Sequence, residues 1–296
     1  MKKSIILLLS IGAGTLIPWA GEYSFLVTPL LFGMLFCAFL EMRSPREMLQ
    51  EKRLFMILGA NIIIGVIAFF FFAPLDSQVA KIAFLIGAMP TATAAPAVTS
   101  YLRGNVDFVI AAVFLSNAIM AILWPIFFWL LFSLHIPFWH LLLSTSSIVI
   151  GPLVAARAFR LMFPQTTSSD AILQKVRSVS FLLWLGVVFL ASAKASAFLR
   201  TGNDSLASIL AVACLAGAFC AFQFWLGKKI GGKEFGLEVS QSLGQKNTIF
   251  ALWACLQFFS PFIALGPIFY LLFHNLYNSY LLATAGREVK IPEKSP

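Results

Sequence analysis

Residues Ser240-Gln241-Ser242-Leu243-Gly244-Gln245-Lys246-Asn247-Thr248 place charge and hydrogen-bonding groups inside an otherwise apolar run. Lys246 is the sharpest of them. A lysine near the middle of a bilayer costs ~3 kcal/mol or more, so its presence there points to function. Its ammonium can serve as a fixed positive charge that neutralises an anionic solute, or as an amine that loads and releases a proton; the sequence leaves both open. The neighbours Gln245, Asn247 and Thr248 suit a polar interior better than a side chain snorkelling to an interface. Ser242 and Lys246 are four apart, which on a helix puts them on one face, the spacing of a nucleophile and its base. No paired carboxylates, histidine cluster or metal-ligand set accompanies them, so an intramembrane enzyme is a minor reading. No catalytic residue, metal or cofactor is assigned.

A second stretch breaks the apolar pattern differently. Gly87-Ala88-Met89-Pro90-Thr91-Ala92-Thr93-Ala94-Ala95-Pro96 carries two prolines among small residues. Proline lacks an amide donor, so a continuous helix is not expected here. Thr93 and Pro96 are its candidate site residues. Asn61 and Ser116-Asn117 also lie within apolar runs, where interhelical hydrogen bonding and solute contact explain them equally well, while His274, beside Asn275, is a lone intramembrane histidine of the kind that more often packs. Lys194 falls near a span end and reaches the interface, while Glu41 and Asp107 sit at helix ends and need no function.

These groups must be positioned by elements suited to lipid. The chain has 296 residues, 60% hydrophobic and only 11% charged, against about 25% charged in a soluble domain. A soluble core of this length could not hide so much apolar surface. The net charge of +9 does not indicate nucleic acid, because Lys and Arg sit in short gaps between apolar runs. The four cysteines, Cys37, Cys214, Cys220 and Cys255, lie inside those runs without CxxC spacing and read as free, buried packing residues. A helix needs ~20 residues to cross the hydrocarbon. Spans are expected near 4–20, 24–41, 55–74, 80–101, 106–133, 137–160, 178–199, 205–226, 238–258 and 261–284, with the first retained. The gaps 42–54 and 161–177 have room for small interfacial helices. With the N-terminus inside, 17 of the 21 Lys and Arg residues fall on the cytoplasmic side, which predicts ten spans with both termini in the cytoplasm.

Ten spans divide into a first repeat, 1–134, and a second, 135–296, within one transmembrane domain. Five spans per half make the second half inverted, an organisation common among secondary transporters, whose sites lie at broken helices near the midplane. The two irregular stretches occupy the fourth and ninth spans, matching positions of the two halves.

At these segments the chain resembles the bile acid:sodium symporter family, within the larger group of bile/arsenite/riboflavin transporters. The resemblance rests on Phe32-Gly33-Met34, Ser44-Pro45 with its basic gap, Gly87 through Tyr101-Leu102-Arg103-Gly104-Asn105-Val106, Gly244-Gln245-Lys246-Asn247, and Pro267 through Phe273-His274-Asn275. It implies a panel of spans 1, 2, 6 and 7 beside a core of spans 3–5 and 8–10. Spans 4 and 9 would be discontinuous and cross at the centre of that core, with alternating access. Sodium-coupled members place a Glu and a Gln in the ninth span, where this chain has Ser242 and Lys246. Their Ser-Asn pair falls near Ala95, Pro96 and Ala97, and their fifth-span hydroxyls around Val109 and Val113; Asn61 lies within about a residue of their third-span Gln. The oxygen shell that sodium needs is thus missing, and the ammonium of Lys246 stands about where sodium would bind. The expectation is a sodium-independent secondary transporter of a small organic anion, lodged in a lipid bilayer, a prokaryotic inner membrane by its short loops. The alternatives are a drug/metabolite-type carrier of another ten-helix fold, a channel, and the Ser–Lys enzyme.

Overall fold

A computed structural model describes residues 2–41, 48–132, 137–163, 170–201 and 205–288. The Ser44-Pro45 motif, the repeat boundary at 134 and the tail beyond 288 lie outside them, as does the side chain of Glu41. The fold is all-helical, and its twelve α-helices among the described residues are numbered here in chain order. They are α1 Lys2–Leu16, α2 Val27–Glu41, α3 Lys52–Phe72, α4 Ser77–Ala88, α5 Ala95–Tyr101, α6 Val106–Phe132, α7 Phe138–Met162, α8 Asp170–Thr201, α9 Leu206–Gly231, α10 Gly236–Gly244, α11 Thr248–Phe258 and α12 Leu265–Glu288. Among the described residues, six segments are long and apolar enough to cross a bilayer: Pro18–Leu40, Lys52–Phe72, Val106–Phe132, Phe138–Met162, Gln174–Arg200 and Leu206–Gly231. The molecule is an integral, multi-pass membrane protein.

Several boundaries differ from the sequence reading. α1 stops at Leu16, not at residue 20, because Ile17 precedes Pro18 and leaves the helical region (φ −116°, ψ 65°). A 3₁₀ segment, Pro18–Leu26, then leads into α2, which starts at Val27. α8 begins at Asp170, eight residues before the expected start, and α9 runs on to Gly231, where Gly232 turns the chain at φ 64°. Cys214 is exposed, contrary to expectation, whereas Cys37, Cys220 and Cys255 are buried. A residue in an apolar run can face lipid as readily as protein, and the sequence does not say which.

Two sets of helices emerge from the packing. α8 lies along α1, α2 and the 3₁₀ segment, and α2 also packs on α7. In the other set α3 packs on α4, and α9 on both α10 and α12. The main apolar cluster joins the two sets, with Leu31 and Leu35 of α2 and Val187 of α8 on one side and Phe84, Trp124 and Phe250 on the other. Trp124 stacks on Phe250 at 4.7 Å, and Phe250 on Trp253 at 5.9 Å. Trp253 Nε1 donates to Thr28 Oγ1 (3.1 Å), which pins α11 to α2. A second cluster, around Ile57, Phe108, Val109, Val113, Val239 and Leu243, belongs to the second set alone.

α4 is 12 residues long, about 18 Å at 1.5 Å per residue and too short to cross a hydrocarbon layer of ~30 Å. It ends because Met89 precedes Pro90 and adopts an extended conformation (φ −55°, ψ 137°). Pro96 then sits in the first turn of α5, where its missing N–H costs nothing. α10 stops at Gly244, and Gln245 is extended (φ −88°, ψ 103°). Asn247 starts α11 by capping, its Oδ1 accepting from Phe250 N (3.2 Å).

Candidate functional site

The two interruptions meet. Thr91 and Lys246 form an antiparallel β-bridge, with Ala92 N donating to Gln245 O and Asn247 N to Pro90 O, each at 2.8 Å. Peptide groups freed from helix thereby satisfy one another away from lipid, the condition under which irregular backbone persists at membrane depth.

The carbonyls at the ends of α4 and α10 need donors as well, since a helix leaves its last four unpaired. Side chains from surrounding helices supply them. At α4, Gln223 Nε2 donates to Ile86 O (3.1 Å) and Trp124 Nε1 to Ala88 O (3.2 Å). At α10, Thr91 Oγ1 donates to Ser242 O (2.7 Å) and Tyr270 OH to Gly244 O (2.9 Å). Lys246 provides the rest. The residue is 1% exposed, and its ammonium donates to Met89 O (3.0 Å), to Gly87 O (3.5 Å) and to Asn61 Oδ1. An ammonium has three donors, and all three meet neutral oxygens. Two belong to the C-terminal end of α4, where the helix dipole favours a cation.

Asn61 reaches this point because α3 and α4 touch at glycines. A Cβ on Gly87 would stand 2.9 Å from Gly65 Cα, and one on Gly65 would stand 2.7 Å from Ala88 Cβ. With Gly65 one turn beyond Asn61, the backbone contact brings Asn61 Oδ1 to the ammonium of Lys246.

Beside the lysine, Asn117 Nδ2 donates to Thr91 O and to Val113 O, both at 2.8 Å, and its Oδ1 accepts from Asn247 Nδ2 at 2.7 Å. Ser116 Oγ accepts from Thr91 N (3.0 Å). Asn61, Ser116, Asn117, Lys246 and Asn247 therefore form one buried constellation, with Gln245 buried just before the bridge and Thr248 buried at the start of α11. Thr93 and Pro96 are half-buried at the start of α5. His274 is buried against Tyr270, while Asn275 donates to Leu271 O of its own helix (2.7 Å) and does not join the constellation.

Ser242 and Lys246 do not share a helix face. The helix ends at Gly244 between them; Ser242 Oγ has no partner, and the ammonium is committed elsewhere. The nucleophile–base spacing is therefore not realised. Among the described residues the ion pairs are those of Arg53 with Glu51 and Glu234, so no carboxylate balances Lys246. Trp124, Gln223 and Tyr270, which complete the helix ends, were missed from sequence. Gln223, an amide within an apolar run, was the one available signal.

Apolar spans around a buried meeting point of two interrupted helices define the class as an integral, helical membrane protein. Residues 28–200 match the sodium bile acid symporter family, and the chain belongs to that family of membrane transporters. This decides against a drug/metabolite-type carrier. None of the curated proteins matches the chain.

Proposed function

We propose that the protein is a secondary transporter of a small organic anion, working by alternating access without sodium, with Lys246 as its resident cation. The observation behind this is the setting of Lys246: a buried ammonium held by three neutral oxygens with no ion-pair partner among the described residues. Carbonyl and amide oxygens of this kind suit a bound monovalent cation, and the tethered ammonium takes that place. Its uncompensated charge favours an anion nearby, and Thr93 and Pro96, half-buried beside the crossing, are proposed to line the solute's path.

The antiparallel pairing of Thr91 with Lys246 supports two inverted five-span repeats, 1–134 and 135–296, with spans 4 and 9 crossing and both termini cytoplasmic. The helix set α1, α2, α7 and α8 then acts as a panel against which the set carrying the crossing moves. Short basic gaps on one side suit the inner membrane of a prokaryote.

Counterflow of a labelled organic-anion panel in proteoliposomes, with and without sodium, tests the reading. Exchange by the wild type in sodium-free buffer, lost in Lys246→Gln, is the expected result. Exchange that requires sodium, or that survives Lys246→Gln unchanged, overturns it.

A further inference from the structure

The polar groups of α10 and α12 are not exhausted by the crossing. Tyr270, His274 and Asn278 are spaced four apart and share one face of α12. Against it stands the end of α10: Gln241 Nε2 donates to Asn278 Oδ1 (3.2 Å), and Tyr270 OH reaches the O of Gly244, the residue before Gln245. Gln241, Gln245, His274 and Asn278 are all at most 4% exposed. Yet Gln241 Oε1, Gln245 Oε1, His274 Nδ1 and Asn278 Nδ2 have no hydrogen-bond partner. Exchanging O and N in the Gln241–Asn278 pair cures nothing, since two amides sharing one hydrogen bond always leave an acceptor and a donor over.

Buried polar groups in a membrane protein are satisfied by protein, ligand or water, because lipid offers no partner. His274 and Asn278 follow a line along α12, with Gln241 bonded to Asn278. From Tyr270, at the crossing, to Asn278 is eight residues, about 12 Å along the helix, against a hydrocarbon half-thickness of ~15 Å. Asn278 lies toward the end of the bundle where α12 terminates and α10 begins. Tyr270 OH donates to Gly244 O (2.9 Å), two residues before Lys246, so the line ends beside the crossing.

The geometry points to a water-filled path between α10 and α12, lined by Asn278, Gln241, His274 and Gln245. It admits water and small hydrated cations from the α12 end to the crossing. This goes beyond the transporter reading only in assuming that the helices stand in a bilayer; it does not depend on which solute is carried. Water enters through the interior of the helix set that bears the crossing, separately from any route along the panel.

Reaction with silver ions, which reach buried thiols only through water, tests it in native membranes. In a background with Cys37, Cys214, Cys220 and Cys255 replaced by Ala, Asn278→Cys and His274→Cys are expected to react, scored by protection from later alkylation in detergent. Leu271→Cys, in the packed core, and Leu276→Cys, on the exposed face of α12, are expected to stay unreacted. Gln241→Cys substitutes if either test variant fails to elute as a folded monodisperse peak. Inertness of the seam thiols equal to that of the Leu271→Cys control overturns the path. Because silver labelling requires no transport, a failed exchange assay would count against the transporter reading and not against the path.

Discussion

Thr91 and Lys246 face each other across an antiparallel bridge, although one ends a proline-broken segment and the other a segment without proline. The threonine hydroxyl caps the end of α10 and the lysine ammonium caps the end of α4, so each break is completed by the residue opposite. Exchanging donors in this way ties the two halves at one point, and changes at either residue are felt by both.

Asn61 is the acceptor in that arrangement whose chemistry can be varied. Asn61→Leu leaves the ammonium one partner short, at a cost of about 2 kcal/mol for a hydrogen bond to a charged group. A lowered thermal midpoint in detergent and reduced anion exchange are expected. Asn61→Asp should keep the midpoint but pair the charge, so exchange falls while stability does not. Equal stability of Asn61→Leu and wild type would show that the contact contributes nothing.

Asn117 and Asn247 should be energetically coupled through their 2.7 Å hydrogen bond. A double-mutant cycle with Asn117→Ala and Asn247→Ala is expected to give an interaction energy of about 1–2 kcal/mol in thermal or chemical unfolding. Strict additivity would mean that the asparagines act separately.

The α3–α4 approach makes Gly87 intolerant of a side chain. Gly87→Ala sets a Cβ against Gly65 backbone at 2.9 Å, and overpacking of this kind costs ~1–3 kcal/mol. Gly59, in the same α3 but with open space around a built Cβ, is the contrast: Gly59→Ala should be neutral or stabilising by up to ~1 kcal/mol. Comparing the two midpoints checks close approach against a general effect of helix glycines.

Trp124 combines a stack on Phe250 with a donor to Ala88 O. Trp124→Phe keeps the ring and loses the donor, for an expected loss of ~1 kcal/mol. Trp124→Leu loses both and should cost clearly more.

Thiol reactivity of the unmodified chain should separate the cysteines. Cys214 is exposed, and Cys220 and Cys255 are buried. A lipid-permeant maleimide is expected to label Cys214 first, with Cys220 and Cys255 reacting only after denaturation. Mass spectrometry of the labelled peptides reads this directly.

Much of this protein is legible in its composition. Apolar runs of about 20 residues can stand only in lipid, and two prolines six apart among small residues, Pro90 and Pro96, disfavour a continuous helix there. Lys246 and its polar neighbours stood out because charge in such a setting is costly. Asn61, Ser116 and Asn117 were visible as polar residues in apolar spans, but nothing local separated them from Asn275, which bonds only its own helix.

The tertiary structure decided which of these groups meet. Asn61 and Lys246 are 185 residues apart, and their contact depends on Gly65 admitting α4 to within touching distance. The end of α10 at Gly244 separated Ser242 from Lys246, which a four-residue spacing had placed together. Exposure of Cys214 and the capping roles of Trp124, Gln223 and Tyr270 likewise depend on which helix lies alongside. Periodicity and composition act along the chain and fix the solvent in which each segment can exist, whereas the partner of a buried polar group is chosen by packing between segments distant in sequence.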